Sequence, residues 1–87
     1  MCRRFKISGR VQGVFFRKSA QAAALDIGLR GWVQNLEDGR VETVACGERS
    51  QIDQYLAWLK EGPKFARVDQ VAEITQMCEF HEGFDIL

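Results

Sequence analysis

The sequence predicts an α+β fold in which two helices cover one face of a mainly antiparallel sheet. Two segments have apolar residues at helical spacing, and each is followed by a glycine. The segments around them alternate polar and apolar residues or are rich in β-branched and aromatic side chains, as strands are. The predicted order is therefore strand, helix, strand, strand, helix, strand, with a short strand at the C-terminal end.

The first strand and the first helix lie on either side of a loop framed by Gly9 and Gly13. Residues 4–8 alternate polar and apolar side chains, which predicts a half-buried strand that the loop then breaks. Residues 16–27 place apolar side chains on one helical face, and Gly28 is a natural stop for this helix.

The middle of the chain predicts a hairpin. Residues 31–36, GWVQNL, combine aromatic and β-branched side chains, and residues 40–46 form a second strand-like segment. Between them, residues 37–39, EDG, are typical of a tight turn. The two strands are therefore expected to pair with each other.

The last third of the chain predicts a helix and two strands. Residues 50–61 have an amphipathic helical pattern that ends at a Gly-Pro pair. Residues 68–77 predict a strand whose imperfect alternation indicates a bulge, and residues 84–87, FDIL, predict the short last strand. The order βαββαβ, with both helices on one face, is the ferredoxin-like two-layer sandwich.

The length and net charge of the chain restrict the classes of protein to which it could belong. A chain of 87 residues predicts a single domain, residues 1–87. Its formal net charge of +0 argues against nucleic-acid partners and anionic membranes, which usually require a basic surface. No apolar run approaches the ~20 residues of a membrane helix, and no signal peptide is evident. We therefore expect a cytoplasmic protein, with a monomer as the simplest state.

The cysteines predict neither a disulfide framework nor a zinc site. There are three of them, Cys2, Cys46 and Cys78, and no C-x-x-C pair occurs. We expect reduced thiols, with Cys46 packed in its strand and Cys2 incidental.

The glycine-framed loop could form an anion site. Its glycines allow consecutive N–H groups to turn toward one point, and a helix N-terminus adds partial positive charge there. Arg17, one residue into the helix, could grip two oxygens of a phosphate or carboxylate. The alternative is an ordinary glycine-rich turn followed by a solvated arginine. The loop matches neither a Walker loop nor the dinucleotide fingerprint.

Asn35 is a second candidate functional residue, because a side-chain amide at the end of a strand could hold a water. The alternative, and the commoner role of an asparagine at such a position, is to cap the turn. The sole histidine, His81, lies in a polar segment and is expected to be solvated. With no set of His, Asp and Ser and no metal motif, an enzyme of this sequence would work by placing charge and water.

Two stretches resemble the acylphosphatase family. Residues 7–17, ISGRVQGVFFR, match its first signature, G-x-V-Q-G-V-x-F-R, at every fixed position. Residues 31–47, GWVQNLEDGRVETVACG, are similar to its second signature, and residues 62–68, GPKFARV, resemble the segment after its second helix. The resemblance covers nearly the whole chain.

The resemblance implies the ferredoxin-like fold and hydrolysis of an acyl phosphate to a carboxylate and inorganic phosphate, without metal or cofactor. By position, Arg17 resembles the phosphate-binding arginine and Asn35 the residue that orients the attacking water. The cradle of backbone amides would come from Val11, Gln12, Gly13, Val14, Phe15 and Phe16, within the loop of residues 9–16. In this family the phosphate of the substrate is thought to accept the proton, which fits the lack of an obvious general base.

The C-terminal end departs from the family pattern, because Leu87 follows F-x-I where a basic or aromatic residue is common. In some relatives the terminal carboxylate helps to hold the arginine. The loop would offer the same site to acetyl phosphate, carbamoyl phosphate, a phosphoglycerate anhydride or a protein aspartyl phosphate.

Two other functions compete with acyl phosphate hydrolysis. One is a non-catalytic module that binds an anion or carbamoyl phosphate, since acylphosphatase-like domains occur within larger proteins that handle carbamoyl phosphate and the same loop could bind an anion without turnover. The other is a ferredoxin-like RNA binder, against which the neutral charge and the lack of paired aromatic motifs argue.

Overall fold

The computed structural model describes residues 1–74 and 81–87, which form five strands and two helices. The strands are β1 (Cys2–Arg10), β2 (Arg30–Asn35), β3 (Val41–Cys46), β4 (Arg67–Ile74) and β5 (Phe84–Ile86). The helices are α1 (Phe16–Ile27) and α2 (Arg49–Glu61). The end of the predicted strand, residues 75–77, and most of the loop after it lie outside the described residues.

The strands form one mixed sheet in the order β4-β1-β3-β2-β5. β3 is central, β1 pairs antiparallel with β3 and β4, and β2 and β3 form the predicted antiparallel hairpin. β5 runs parallel to β2, with Phe84 opposite Gly31. The predicted α+β ferredoxin-like arrangement is confirmed.

The core lies between the helices and one face of the sheet. Ala20 and Ala24 of α1 and Tyr55 of α2 are buried in one cluster with Phe5 of β1 and Val33 of β2. The small alanines suit close packing of α1 against the sheet, where it contacts β2 and β5. Among the described residues, no helix is long and apolar enough to cross a membrane.

The predicted bulge is present in β4. Ser8 pairs with Gln70 and Gly9 with Val68, so Asp69 is an extra residue on the β4 side. The predicted loop start at Gly9 is wrong by two residues, because β1 continues to Arg10. Gly9 has a φ of 129°, and a Cβ there would overlap the backbone of Arg67. This glycine therefore serves the close pairing of two strands, and the connecting loop is residues 11–15.

The expectation of reduced thiols is wrong for two of the cysteines. Cys2 and Cys46 are joined by a disulfide, with their Cα atoms 4.1 Å apart. They lie directly opposite each other in the pairing of β1 with β3. Strand register creates this proximity, and register cannot be read from cysteine spacing along the chain. Cys78 lies outside the described residues.

Candidate active site

The loop between β1 and α1 is anchored by its own apolar side chains. Val11 and Val14 are buried, as is Phe16 at the start of α1. Between them, Gly13 is exposed with a φ of 75°, and Phe15 has a φ of 60°. The sequence Val-Gln-Gly-Val-Phe-Phe thus alternates anchors with positions that turn the backbone. The buried side chains therefore anchor the loop, and Gly13 and Phe15 between them stay exposed.

The N-terminus of α1 has no side-chain cap. Its N-cap residue is Phe15, which makes no side-chain capping bond, and the first turn contains no acidic residue. The first N–H groups of a helix lack intrahelical partners and carry the positive end of the helix dipole. This helix end would therefore stabilise an anion placed against it.

Arg17 is the second residue of α1 and brings a cation to the same place. Its Nη1 donates a hydrogen bond to the backbone oxygen of Leu87 at 3.1 Å. Within residues 1–74 and 81–87, Arg17 makes no ion pair with an aspartate or glutamate side chain. Its N–H groups other than the one bonded to Leu87 remain available to an anion.

Asn35 reaches this region from the hairpin. It is the last residue of β2, pairs with Val41 of β3 and has an exposed side chain. The sequence placed Asn35 correctly at a strand end. In the structure the turn that follows it lies against the loop.

Gln12 connects the loop to the hairpin turn. Its Nε2 donates to the backbone oxygens of Leu36 at 2.8 Å and Arg40 at 3.0 Å. The resemblance assigned Gln12 only a backbone amide, so its side-chain role was missed. Nothing in the local sequence pairs a loop glutamine with a turn more than twenty residues away.

A cavity of about 280 Å³ joins these elements. Arg17 and Asn35 both line it, although they come from different parts of the chain. The other lining residues are Val11, Gly13, Phe15, Phe16, Lys18 and Ile86. Four of the six predicted loop residues are therefore at the cavity, whereas the side chains of Gln12 and Val14 point into the hairpin contact and the core. Lys18 and Ile86 were not singled out from the sequence.

Among the described residues that line the cavity, none carries a carboxylate, imidazole or thiol. His81 hydrogen-bonds Asp85 at 2.9 Å and is partly exposed rather than freely solvated. The groups that face the cavity are thus cationic, amide or apolar. Such a site can hold an anion and a water, and it lacks a nucleophile from these residues.

Arg40, near the hairpin turn, is already paired. Its guanidinium lies 2.7 Å from Asp38, and its side-chain hydrogen bond lowers the pKa of that carboxyl below the ordinary value. The same bond raises the pKa of Arg40. The pair is exposed and locally neutral, so Arg17 and Lys18 are the cations at the cavity wall.

Comparison with known proteins assigns the chain a family. The acylphosphatase family model matches residues 3–86. An acylphosphatase of Legionella pneumophila is 45% identical over all 87 residues and is itself 96% covered. A solved acylphosphatase of Coxiella burnetii has a TM-score of 0.95 at 44% identity, covering 99% of this chain and 90% of that one. A solved acylphosphatase of Bacillus subtilis has a TM-score of 0.94 at 36% identity, covering 100% and 99%.

Proposed function

Because the chain belongs to the acylphosphatase family and hydrolyses acyl phosphates to a carboxylate and inorganic phosphate, we propose which residues perform the reaction. Arg17 and the backbone amides of residues 11–16 bind the phosphate group, and Asn35 positions the attacking water. The observation that supports these roles is that Arg17 and Asn35 line one cavity beside the uncapped end of α1.

The phosphate is the anion for which the loop and helix end are suited. Arg17 would use a pair of its N–H groups on two phosphate oxygens, while its Nη1 stays hydrogen-bonded to Leu87. Donors that are already oriented stabilise the charge of the transition state without reorganising during the reaction. The contact with Leu87 would keep the guanidinium oriented before substrate arrives.

The amide of Asn35 would hold a water in line with the bond between phosphorus and the acyl oxygen. The water oxygen forms a new bond to phosphorus as the bond to the acyl oxygen breaks, and its electron pair leaves with the carboxylate. The proton of the water passes to a phosphate oxygen of the substrate. Because a carboxylate is a good leaving group, positioning and charge stabilisation suffice for this reaction.

The test replaces each proposed residue and measures hydrolysis of benzoyl phosphate. Arg17→Ala and Asn35→Ala should each lower kcat/KM by about 10²-fold or more, as loss of a transition-state donor does. Arg49→Ala is the matched control, since Arg49 is likewise an arginine in the first turn of a helix but does not line the cavity. Circular dichroism checks folding. Full activity of a folded Arg17→Ala enzyme would refute the role of Arg17.

The non-catalytic module is not favoured, because the relatives that match over their full length are acylphosphatases. Calorimetry that found phosphate binding without any turnover would favour it. We also propose that residues 1–87 act as a monomeric single domain without nucleic-acid or membrane partners, consistent with the net charge of +0. Size-exclusion chromatography tests the monomer.

A cytoplasmic location is the remaining proposal, and one structural feature weighs against it. Disulfides are rare in the reducing cytosol, yet Cys2 and Cys46 are bonded. The test is to extract the protein from cytoplasmic fractions under alkylating conditions and to count its free thiols. Recovery in these fractions tests the location, and the thiol count tests whether Cys2 and Cys46 are bonded there. Recovery of the protein only outside the cytoplasm would refute the proposal.

A further inference from the structure

Phe15 has a backbone conformation that its side chain disfavours. Its φ is 60°, and among the described residues it is the only residue other than glycine with a positive φ. A bulky side chain in the left-handed region costs energy that a glycine at the same position would not. Strain of this kind persists where the surrounding structure fixes it, and it concentrates at functional sites.

Burial does not offset this strain. The side chain of Phe15 is 77% exposed, whereas the neighbouring Phe16 is buried in the core. The ring therefore contributes little to packing of the fold. A glycine at position 15 would be less strained, and little buried apolar surface would be lost with the ring.

The exposed ring of Phe15 is part of the cavity wall. Ile86 of β5 lines the same cavity and is 38% exposed, so a second apolar side chain is accessible there. Arg17 and Asn35 supply the polar groups of this cavity. Arg17 and Asn35 have proposed roles, in binding the phosphate and positioning the water, whereas Phe15 and Ile86 have no role in that proposal.

We propose that Phe15 and Ile86 bind the acyl group, and that the enzyme prefers acyl phosphates whose acyl group is apolar. The inference rests on the phosphate site proposed above, because a phosphate held by Arg17 directs the acyl group toward the rest of the cavity. An apolar acyl group would cover the exposed ring and remove both apolar surfaces from water. An aromatic acyl group would add a ring-to-ring contact.

The test compares two substrates that carry the same phosphate, benzoyl phosphate and acetyl phosphate. The measured quantity is the ratio of their kcat/KM values, because damage to the phosphate cradle affects both substrates and cancels. Phe15→Gly should lower this ratio by about 3- to 10-fold, the range expected for loss of one aromatic contact. Ile86→Ala should lower it in the same direction.

Phe65→Ala is the matched control. Phe65 is likewise exposed, at 72%, but does not line the cavity, so its loss should leave the ratio unchanged. Lys18→Ala should also leave the ratio unchanged, since neither acyl group carries a charge. A ratio that is unchanged in Phe15→Gly, or that falls equally in Phe65→Ala, would overturn the proposal.

A second measurement tests the premise that the ring is not needed by the fold. Phe15→Gly should unfold at a urea concentration equal to or above that of the wild type. A clear loss of stability would show that the ring supports the structure and would overturn the inference. Failure of the phosphate site is distinguishable, because it would appear as full activity of a folded Arg17→Ala enzyme on both substrates, whatever ratio Phe15→Gly gives.

Discussion

Replacement of Gln12 by methionine should loosen the contact between the loop of residues 11–15 and the hairpin of β2 and β3. Methionine has a similar length but donates no hydrogen bond, so Gln12→Met removes the bonds to Leu36 and Arg40. A typical intramolecular hydrogen bond contributes a net 0.5–1.5 kcal/mol, which sets a range of about 1–3 kcal/mol for two. Both carbonyls keep a backbone partner, because Gly39 N donates to Leu36 and Leu36 N donates to Arg40. No acceptor is left unpaired, so we expect a loss of about 1–2 kcal/mol.

The same substitution should affect the chemical step more than phosphate binding. Arg17 and the loop amides stay on one side of the contact, whereas Asn35 lies on the other, one residue before Leu36. On the proposed roles of these residues, a shift of the hairpin would leave the phosphate bound but move the water out of line. A misplacement near 1 Å can cost about 10²-fold in rate, so kcat should fall by roughly 10- to 10²-fold. Competitive inhibition by inorganic phosphate should change little.

Steady-state kinetics with benzoyl phosphate and urea unfolding measure the two effects separately. Gln51→Met is the matched control, because Gln51 also bonds backbone groups, at Glu48 and Ile27, and does not line the cavity. It should lose stability while keeping kcat. If Gln12→Met loses stability but retains the wild-type kcat, Gln12 only stabilises the fold and the reasoning is refuted.

Three further predictions concern the framework of the site. Burial raises the pKa of Tyr55, the single tyrosine, so above about pH 10 the unfolded chain loses a proton that the native protein keeps. The contribution of Tyr55 to the free energy of unfolding should therefore be fully present below pH 10 and should fall above it by up to about 1.4 kcal/mol per pH unit. Urea unfolding measures this slope, which should be smaller in Tyr55→Phe. Reduction of the disulfide between Cys2 and Cys46, which spans 44 residues, should cost up to about 4 kcal/mol by the chain-entropy relation, measured by urea unfolding with and without reductant. Gly31→Ala should lower the yield of folded protein, because a Cβ there would overlap the carbonyl oxygen of Val44.

Each of these predictions has a result that contradicts it. The tyrosine prediction fails if tyrosinate absorbance in the native protein rises near pH 10, as it does for an exposed phenol. Equal unfolding midpoints in oxidised and reduced protein would contradict the role of the disulfide, with Cys2→Ser as the control for effects of the reductant. A Gly31→Ala protein as stable as the wild type would show that β2 and β3 can separate at this point without cost.

The sequence predicted the elements with regular patterns and missed contacts that depend on strand register. The bounds of α1 agree with the predicted segment because apolar residues at helical spacing and Gly28 define both the face and the end. β1 was predicted too short, since the polar residues at its ends belong to the strand only through pairing with β3 and β4. The disulfide between Cys2 and Cys46 depends on the same pairing.

The residues proposed for the site could be singled out from sequence, but their surroundings could not. Residue types and the resemblance to known signatures drew attention to the glycine-framed loop, Arg17 and Asn35, and the structure brings Arg17 and Asn35 to one cavity. The contacts of Gln12 and of Leu87 join residues that are distant along the chain. The left-handed conformation of Phe15 was also unexpected, because local sequence rules predict glycine or asparagine there.

The contact between Arg17 and Leu87 has a consequence for the order in which the enzyme becomes active. It links residues 70 positions apart, and Ile86 closes part of the same cavity. A ribosome makes Arg17 before these partners, 70 positions ahead of Leu87. A nascent chain that ends before residue 86 would carry both signatures and the proposed phosphate cradle, yet lack one wall of the cavity and the group that holds the guanidinium. Catalytic competence should therefore arise only after β5 has been made and has joined the edge of β2.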